Sequence, residues 1–376
     1  MQLGVEIVLK VRIMFKFLCF ALLFGFLVSA APVALMQASD QPFAGYHIYF
    51  SESNEEASPF DRSSSGASRF AGFLEQLGAE VRILDWRKDI PDDANLVVIL
   101  GPQRDLSADQ VARLWHYLIN GGELLLALDP LEITSDQGTQ IIDATRALGA
   151  TRGLFQLLWA DFGIRGRDDL LMLQPDTGTE AVEADVELGL DQMLSLVADF
   201  TTTNLNGDAP LNEGVDSALA FFSTRSIEFD ATIQPYEIVP LVFAAEGYYG
   251  ESDYASYLTD GLAEYDEVAD TEAESLALAV AFMNPSSSAR IILIGDRDFA
   301  TNGGGFQSSP ATSTNFTYVS NIQFLINSVA WLMDSETPVA IPLIRSTPAA
   351  FAPADLVDTR LGKQHNGNSN GLARER

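Results

Sequence analysis

The sequence predicts an α/β fold, a doubly wound and mostly parallel sheet with an inserted subdomain. Three observations carry that expectation. Val97 to Pro130 runs from an apolar stretch through an amphipathic helix to a second apolar stretch without a break, which is one βαβ unit. Shorter strand and helix patterns precede it in the same rhythm. Between residues 174 and 274 that rhythm is lost, and apolar strands then return.

Taken in order, Gly45 to Phe50 reads as the first strand and Ser51 to Ser65, rich in Ser and Glu, as a loop. Phe70, Phe73, Leu74 and Leu77 fall at helical spacing, and Gly78 closes that helix. Val81 to Leu84 and Val97 to Leu100 give the second and third strands. In the next helix Ser107 and Gln110 stand three apart, so each side chain can bond the other's backbone amide, with Val111, Leu114, Trp115, Leu118 and Ile119 on the apolar face. Gly121-Gly122 ends it in left-handed conformation, and Leu124 to Leu128 is the fourth strand, closed by Asp129-Pro130. Ile141 to Leu148 and Leu154 to Phe162 read as helical cover before an edge strand at Leu170 to Leu173.

Residues 174–274 form the acidic insertion, in which Val186 to Phe200 is mixed and Ile238 to Ala244 is a strand broken by Pro240. Leu276 to Phe282 and Arg290 to Ile294 are joined by Asn284-Pro285-Ser286, a turn suited to an antiparallel pair. A last helix places Val319, Ile322, Ile326, Val329 and Met333 on one face. The domain expectation is therefore 1–38 as signal peptide or membrane anchor, 39–173 and 275–335 as the two parts of the α/β domain, 174–274 inserted, and 336–376 as a Pro-, Gly- and Asn-rich disordered tail.

Phe17 to Met36 carries no charge and follows Lys10, Arg12 and Lys16, so positive-inside bias puts the N-terminus in the cytoplasm and the body outside it. Its dense part has signal-peptide length, and Val28-Ser29-Ala30 is an acceptable cleavage site; anchor and cleaved signal both remain open. A net charge of −30 repels phosphate backbones, which excludes nucleic acid as a partner. Cys19, the single cysteine, lies in the apolar segment, so the body can form no disulfide, thiolate metal site or cysteine nucleophile.

The βαβ unit, together with SSSGASRFAGFLEQLGAEVRIL, GLFQLLWADFGIRGRDDLLML, STRSIEF, GYYGESDY and ARIILIGDRDFATN in that order, resembles the auxiliary components of bacterial ABC transport systems. That family includes the gliding-motility-associated ABC transporter auxiliary proteins and is related in fold to the GIFT domain. The resemblance spans Tyr46 to Met333 and implies a flavodoxin-like or class I glutamine-amidotransferase-like sheet. It further implies a non-catalytic extracytoplasmic binding or scaffolding subunit, anchored at the membrane beside permease and ATPase partners, with no cofactor of its own. Relatives commonly end in a second transmembrane helix, whereas the proline-interrupted tail here cannot span a bilayer. The alternatives are a carbohydrate or small-solute binding domain and, behind it, a hydrolase.

Asp129, Asp296 and Asp298 are expected just past the carboxyl ends of central strands, where they would bind a cation or a hydroxylated ligand, or else cap their own turns. Asn302, followed by Gly303 to Gly305, continues that loop as a ligand contact or a flexible connection. Tyr249 and Glu251, among Tyr248, Tyr254, Tyr257 and Asp253, make either an aromatic and carboxylate platform or a local core. His47, His116 and His365 are the only histidines; they fall in a strand, a helix and the tail and read as structural or solvated, which without a base leaves Ser51 and Ser107 as turn or capping hydroxyls.

Overall fold

The computed structural model describes residues 41–130, 132–136, 139–143, 152–174, 198–233, 235–253, 265–271, 276–308 and 315–334. The expected segments 1–38 and 336–376, and most of Val186 to Phe200, lie outside these residues. Among the described residues no helix is long and apolar enough to cross a membrane.

The chain opens with β1 (His47–Phe50), α1 (Ser68–Gln76), β2 (Glu80–Ile83), β3 (Leu96–Leu100), α2 (Ala108–Ile119) and β4 (Glu123–Ala127). A hairpin follows, β5 (Glu132–Asp136) and β6 (Thr139–Asp143), then α3 (Arg152–Phe162), β7 (Ile164–Gly166) and β8 (Leu170–Leu173). Next come β9 (Asp199–Thr202), β10 (Leu219–Phe222), β11 (Ile227–Phe229), β12 (Glu237–Phe243) and β13 (Tyr248–Glu251). The last elements are β14 (Ala277–Met283), β15 (Arg290–Ile294) and α4 (Val319–Leu332).

Nine strands share one sheet, in the order β2-β1-β3-β4-β15-β14-β11-β7, with β12 paired separately to β14. From β2 to β15 all neighbours run parallel, and beyond β15 every pairing is antiparallel. The architecture is thus mixed α/β around a large sheet with a five-stranded parallel half. Side-chain alternation divides the strands between two faces. Val98 and Leu100 of β3 join Phe70 and Leu74 of α1 and Ile322 and Ile326 of α4. On the other face, Val97 and Ile99 join Leu114 and Leu118 of α2 and Leu154 and Leu158 of α3. All five residues of β3 are buried, as a strand covered on both sides requires.

The βαβ unit forms as its sequence dictates. Ser107 Oγ accepts the Gln110 amide at 3.3 Å, while Gln110 Oε1 accepts the Ser107 amide at 2.7 Å. Gly121, at φ 94°, closes α2. The β14–β15 pair and the bulged β12 also stand where the turn and Pro240 indicated.

Three expectations need correction. Ile141 to Leu148 is not helical where it is described, because Ile141 and Ile142 lie in β6, in register with Thr134 and Ile133. A short pair of β-branched residues fits a hairpin as well as a helix, and periodicity cannot separate the two. Leu170 to Leu173 is a strand, but it pairs with β13 and does not edge the main sheet. The edge is β7, which starts directly after Gly163 at φ 65° and, at three residues long, is too short to leave a pattern. Where residues 174–274 are described they are threaded into the body: β11 and β12 join the main sheet, and Phe200 and Phe221 of the β9–β10 ribbon enter its core.

Replacing Ser107 with Ala removes the hydroxyl half of the capping box, and urea denaturation should show a loss of about 1 kcal/mol. Ser107→Asp, which retains an acceptor, should lose little. Equal stability of Ser107→Ala and the parent would contradict the cap.

Candidate functional site

The carboxyl ends of β4 and β15 bring together the aspartates singled out by sequence. Asp296 is fully buried, and its carboxylate accepts the amide of Phe222, the last residue of β10, at 2.8 Å and that of Phe299 at 3.1 Å. Asp129 accepts the Arg297 amide at 2.7 Å, and its second oxygen stands 4.0 Å from the Arg297 guanidinium. Asp298 accepts the Thr301 hydroxyl at 3.1 Å.

Arg297 lies across Gly101, the residue directly after β3, and reaches the Ser65 carbonyl at 3.3 Å. Gly101 has φ +62°, and a methyl group there would fall 2.1 Å from Arg297 Cδ, so this crossing requires glycine. Asn302 is a clamp between distant loops. Its side-chain amide donates to the carbonyls of Asp61 at 3.0 Å and Ser63 at 2.8 Å, and its oxygen accepts the Arg69 amide at 2.9 Å. Gly304 packs its backbone on the Asp298 carbonyl, where a methyl group would fall at 2.0 Å.

Burial pushes the Asp129 carboxyl up to about 7, with the like charge of Asp298 adding to it and Arg297 opposing it. Asp296 is raised well above the usual carboxylate range by burial first, then by Asp129 and Asp298. Arg225 is the nearby buried cation. Its guanidinium lies 5.0 Å above the Phe155 ring and 3.8 Å from Asp168, and its charge acts on both Asp129 and Asp169. Asp169, raised by burial, accepts the Ser226 amide at 2.8 Å and the Ser226 hydroxyl at 2.5 Å.

Asp129, Asp296 and Asp298 therefore lie near one another and Asn302 ties down the loop that follows them, but their polar atoms are engaged by the protein's own backbone and hydroxyls. Among the described residues no group of three or more His, Cys, Asp or Glu side chains is placed to hold a metal ion. Tyr249 and Glu251 lie elsewhere, on β13, at 2% and 4% exposure, and the Tyr249 hydroxyl donates to Glu251 at 2.9 Å. Burial raises the Glu251 carboxyl. Tyr248 packs on Phe200 with ring centroids 4.2 Å apart. This is local core and not an exposed platform, while Tyr254 and Tyr257 lie outside the described residues. His47 contacts Asp93 at 2.9 Å at the opposite edge of the sheet, and His116 bonds Asn120 on α2.

The open feature at this edge is a neighbouring cleft of about 910 Å³ that sequence reasoning missed. It is lined by Ser53 and Asn54 after β1, by Asp85, Trp86 and Arg87 after β2, and by Ser107, Asp109, Gln110 and Arg113 at the start of α2. Arg87 forks onto Asp85 at 2.8 and 3.1 Å, so charge is locally balanced. Buried Glu56 fixes the β1 loop by accepting the Ser51 hydroxyl at 2.5 Å and the Asn54 amide at 2.6 Å, and Trp86 donates to Ser51 at 2.7 Å. The capping box was the available signal, since it places the α2 N-terminus at the carboxyl edge.

A family model described as ABC-type uncharacterized transport system matches residues 46–328, from the start of β1 into α4. The chain belongs to this family. It is accordingly an auxiliary component of an ABC-type transport system. No curated protein matches it. Among solved structures, the mmIFT52 N-terminal domain is similar at 13% identity and a TM-score of 0.47, over 77% of this chain and 99% of that one. The exo-β-1,4-mannosidase Op5Man5 from Opitutaceae bacterium strain TAV5 is similar at 10% identity and a TM-score of 0.31, over 73% of this chain and 35% of the enzyme. Neither likeness bears on what the auxiliary chain binds.

The raised Asp129 carboxyl gives a signed pH dependence. Its contribution to stability is complete below the unfolded value of 3.8 and is lost as pH rises through about 7. Asp129→Asn keeps an acceptor for Arg297 without the charge, so it should gain on the parent by on the order of 3 kcal/mol between pH 4 and pH 7. Denaturation of both proteins across that range checks this, and a constant difference would contradict it.

Proposed function

We propose that this chain is a non-catalytic binding or scaffolding subunit on the extracytoplasmic side of a membrane, working beside the permease and ATPase of an ABC transporter. The observation that carries the reading is the extent of the family match, which takes in both the parallel and the antiparallel halves of the sheet. The strand order β2-β1-β3-β4-β15 supports a flavodoxin-like reading of the parallel half. The uncharged run Phe17 to Met36 after three basic residues supports an exported body held by, or released from, an N-terminal segment.

The buried carboxyls at the carboxyl edge support recognition over chemistry. Asp296 and Asp129 hold backbone amides, and a group so engaged is not poised to exchange protons with a substrate. A second reading, a site for a small polar solute such as a sugar, is favoured by the cleft. It sits outside the carboxyl ends of β1 and β2, where open α/β sheets take ligands, and it mixes donors, acceptors and an indole.

Crosslinking in membranes followed by purification of the full chain should recover a permease and an ATPase with it. Recovery of the chain without them would overturn the scaffold reading. For the second reading, a saturable rise in melting temperature with one member of a sugar panel, lost in Arg113→Ala, is the expected result.

A further inference from the structure

We infer that the body is mounted by the amino edge of its sheet, so that the cleft at the carboxyl edge points away from the bilayer and serves water-soluble ligands. This rests on the anchored form of the reading above, in which Phe17 to Met36 stays in the membrane and is not cleaved. The placement of Phe43 and Asp334, near the two limits of the described body, carries the inference.

The entering chain is fixed beside the start of β2. Phe43 donates its amide to the Leu77 carbonyl at 2.9 Å, and the Glu80 amide donates to Tyr46 at 2.8 Å. The leaving chain is fixed beside the start of β15. Arg290, the first residue of that strand and in register with Glu123 at the start of β4, donates to the Trp331 carbonyl and to the Asp334 carboxylate, both at 2.8 Å. Residues 43 and 334 therefore lie on one edge of the parallel half, and Ser53, Trp86 and Ser107 of the cleft lie on the other.

Chain length then limits the geometry. Six residues lie between Met36 and Phe43, so even fully extended the span is about 25 Å. Strands of four or five residues set the two edges about 15 Å apart before the loops are added. A tether this short, attached at the amino edge, keeps that edge nearest the bilayer. The edge itself is polar, carrying the network of His47, Glu80, Arg82 and Asp93, so it rests above the lipid and does not enter it. A net charge of −30 opposes any closer approach to anionic headgroups.

The test uses the full-length chain with Cys19→Ala, reconstituted into liposomes that contain headgroup-spin-labelled lipid. One variant carries a fluorophore at Ser286→Cys, in the exposed turn before β15, and the other at Lys88→Cys, in the exposed loop after β2. Melting temperatures matching the parent establish that both variants are folded. Several-fold stronger quenching at position 286 than at 88 is the expected result. Equal or stronger quenching at 88, in chain that floats with the liposomes, overturns the orientation while leaving the anchor intact. Chain that does not float overturns the tether, and the orientation with it.

Discussion

A buried aspartate holds together parts of the fold that are far apart in sequence. Asp296 follows β15, accepts an amide from β10 and another from the turn that leads toward α4, and lies beside Asp129 at the end of β4. Leaving either amide without an acceptor in this interior would cost about 1–3 kcal/mol. A lone buried carboxylate would also be expensive, and the environment answers that in two ways. It raises the proton affinity of Asp296 and Asp129, and it supplies Arg225, a wholly buried cation whose charge acts on Asp129 and on Asp169 across the neighbouring strands. The carboxyl edge is thus closed from within, and its rigidity lets an adjacent surface keep a fixed shape.

That constraint decides how the site is read. Carboxylates past the ends of central strands invite a cation or a polyol, and sequence position alone does not say whether they face out or in. Here they face in. Asn302 is the same case, because its side-chain amide and oxygen tie together the loop after β1, the start of α1 and the loop after β15. The open surface lies farther along the same edge, past β3, between β2 and α2, where Arg87 and Asp85 balance each other and Glu56 supports the loop from beneath.

What could be read from the sequence follows from the range of the interactions. Strands β3 and β4 and helices α1, α2 and α4 were legible because burial on a strand or helix repeats with a fixed period, and Ser107 with Gln110 writes a cap within three residues. Strand β7 was not, because three residues beside a glycine carry no period. Ile141 and Ile142 were ambiguous for the same reason. The burial of Tyr249 and Glu251 depends on β8, paired across more than seventy residues, so local aromatic content could suggest a platform without revealing the lid. The cleft was hidden because the loops that line it meet only after the parallel strands assemble.

The most direct test of the closed carboxyl edge is amide hydrogen exchange at Phe222 and Phe299 in the parent and in Asp296→Ala. Protection in the parent comparable to that of the β3 and β4 amides, lost in the variant at these two positions while the central strands stay protected, is the expected result. Fast exchange at both positions in the parent would mean that Asp296 does not hold them, and that the carboxyl edge is open to solvent and to ligands after all.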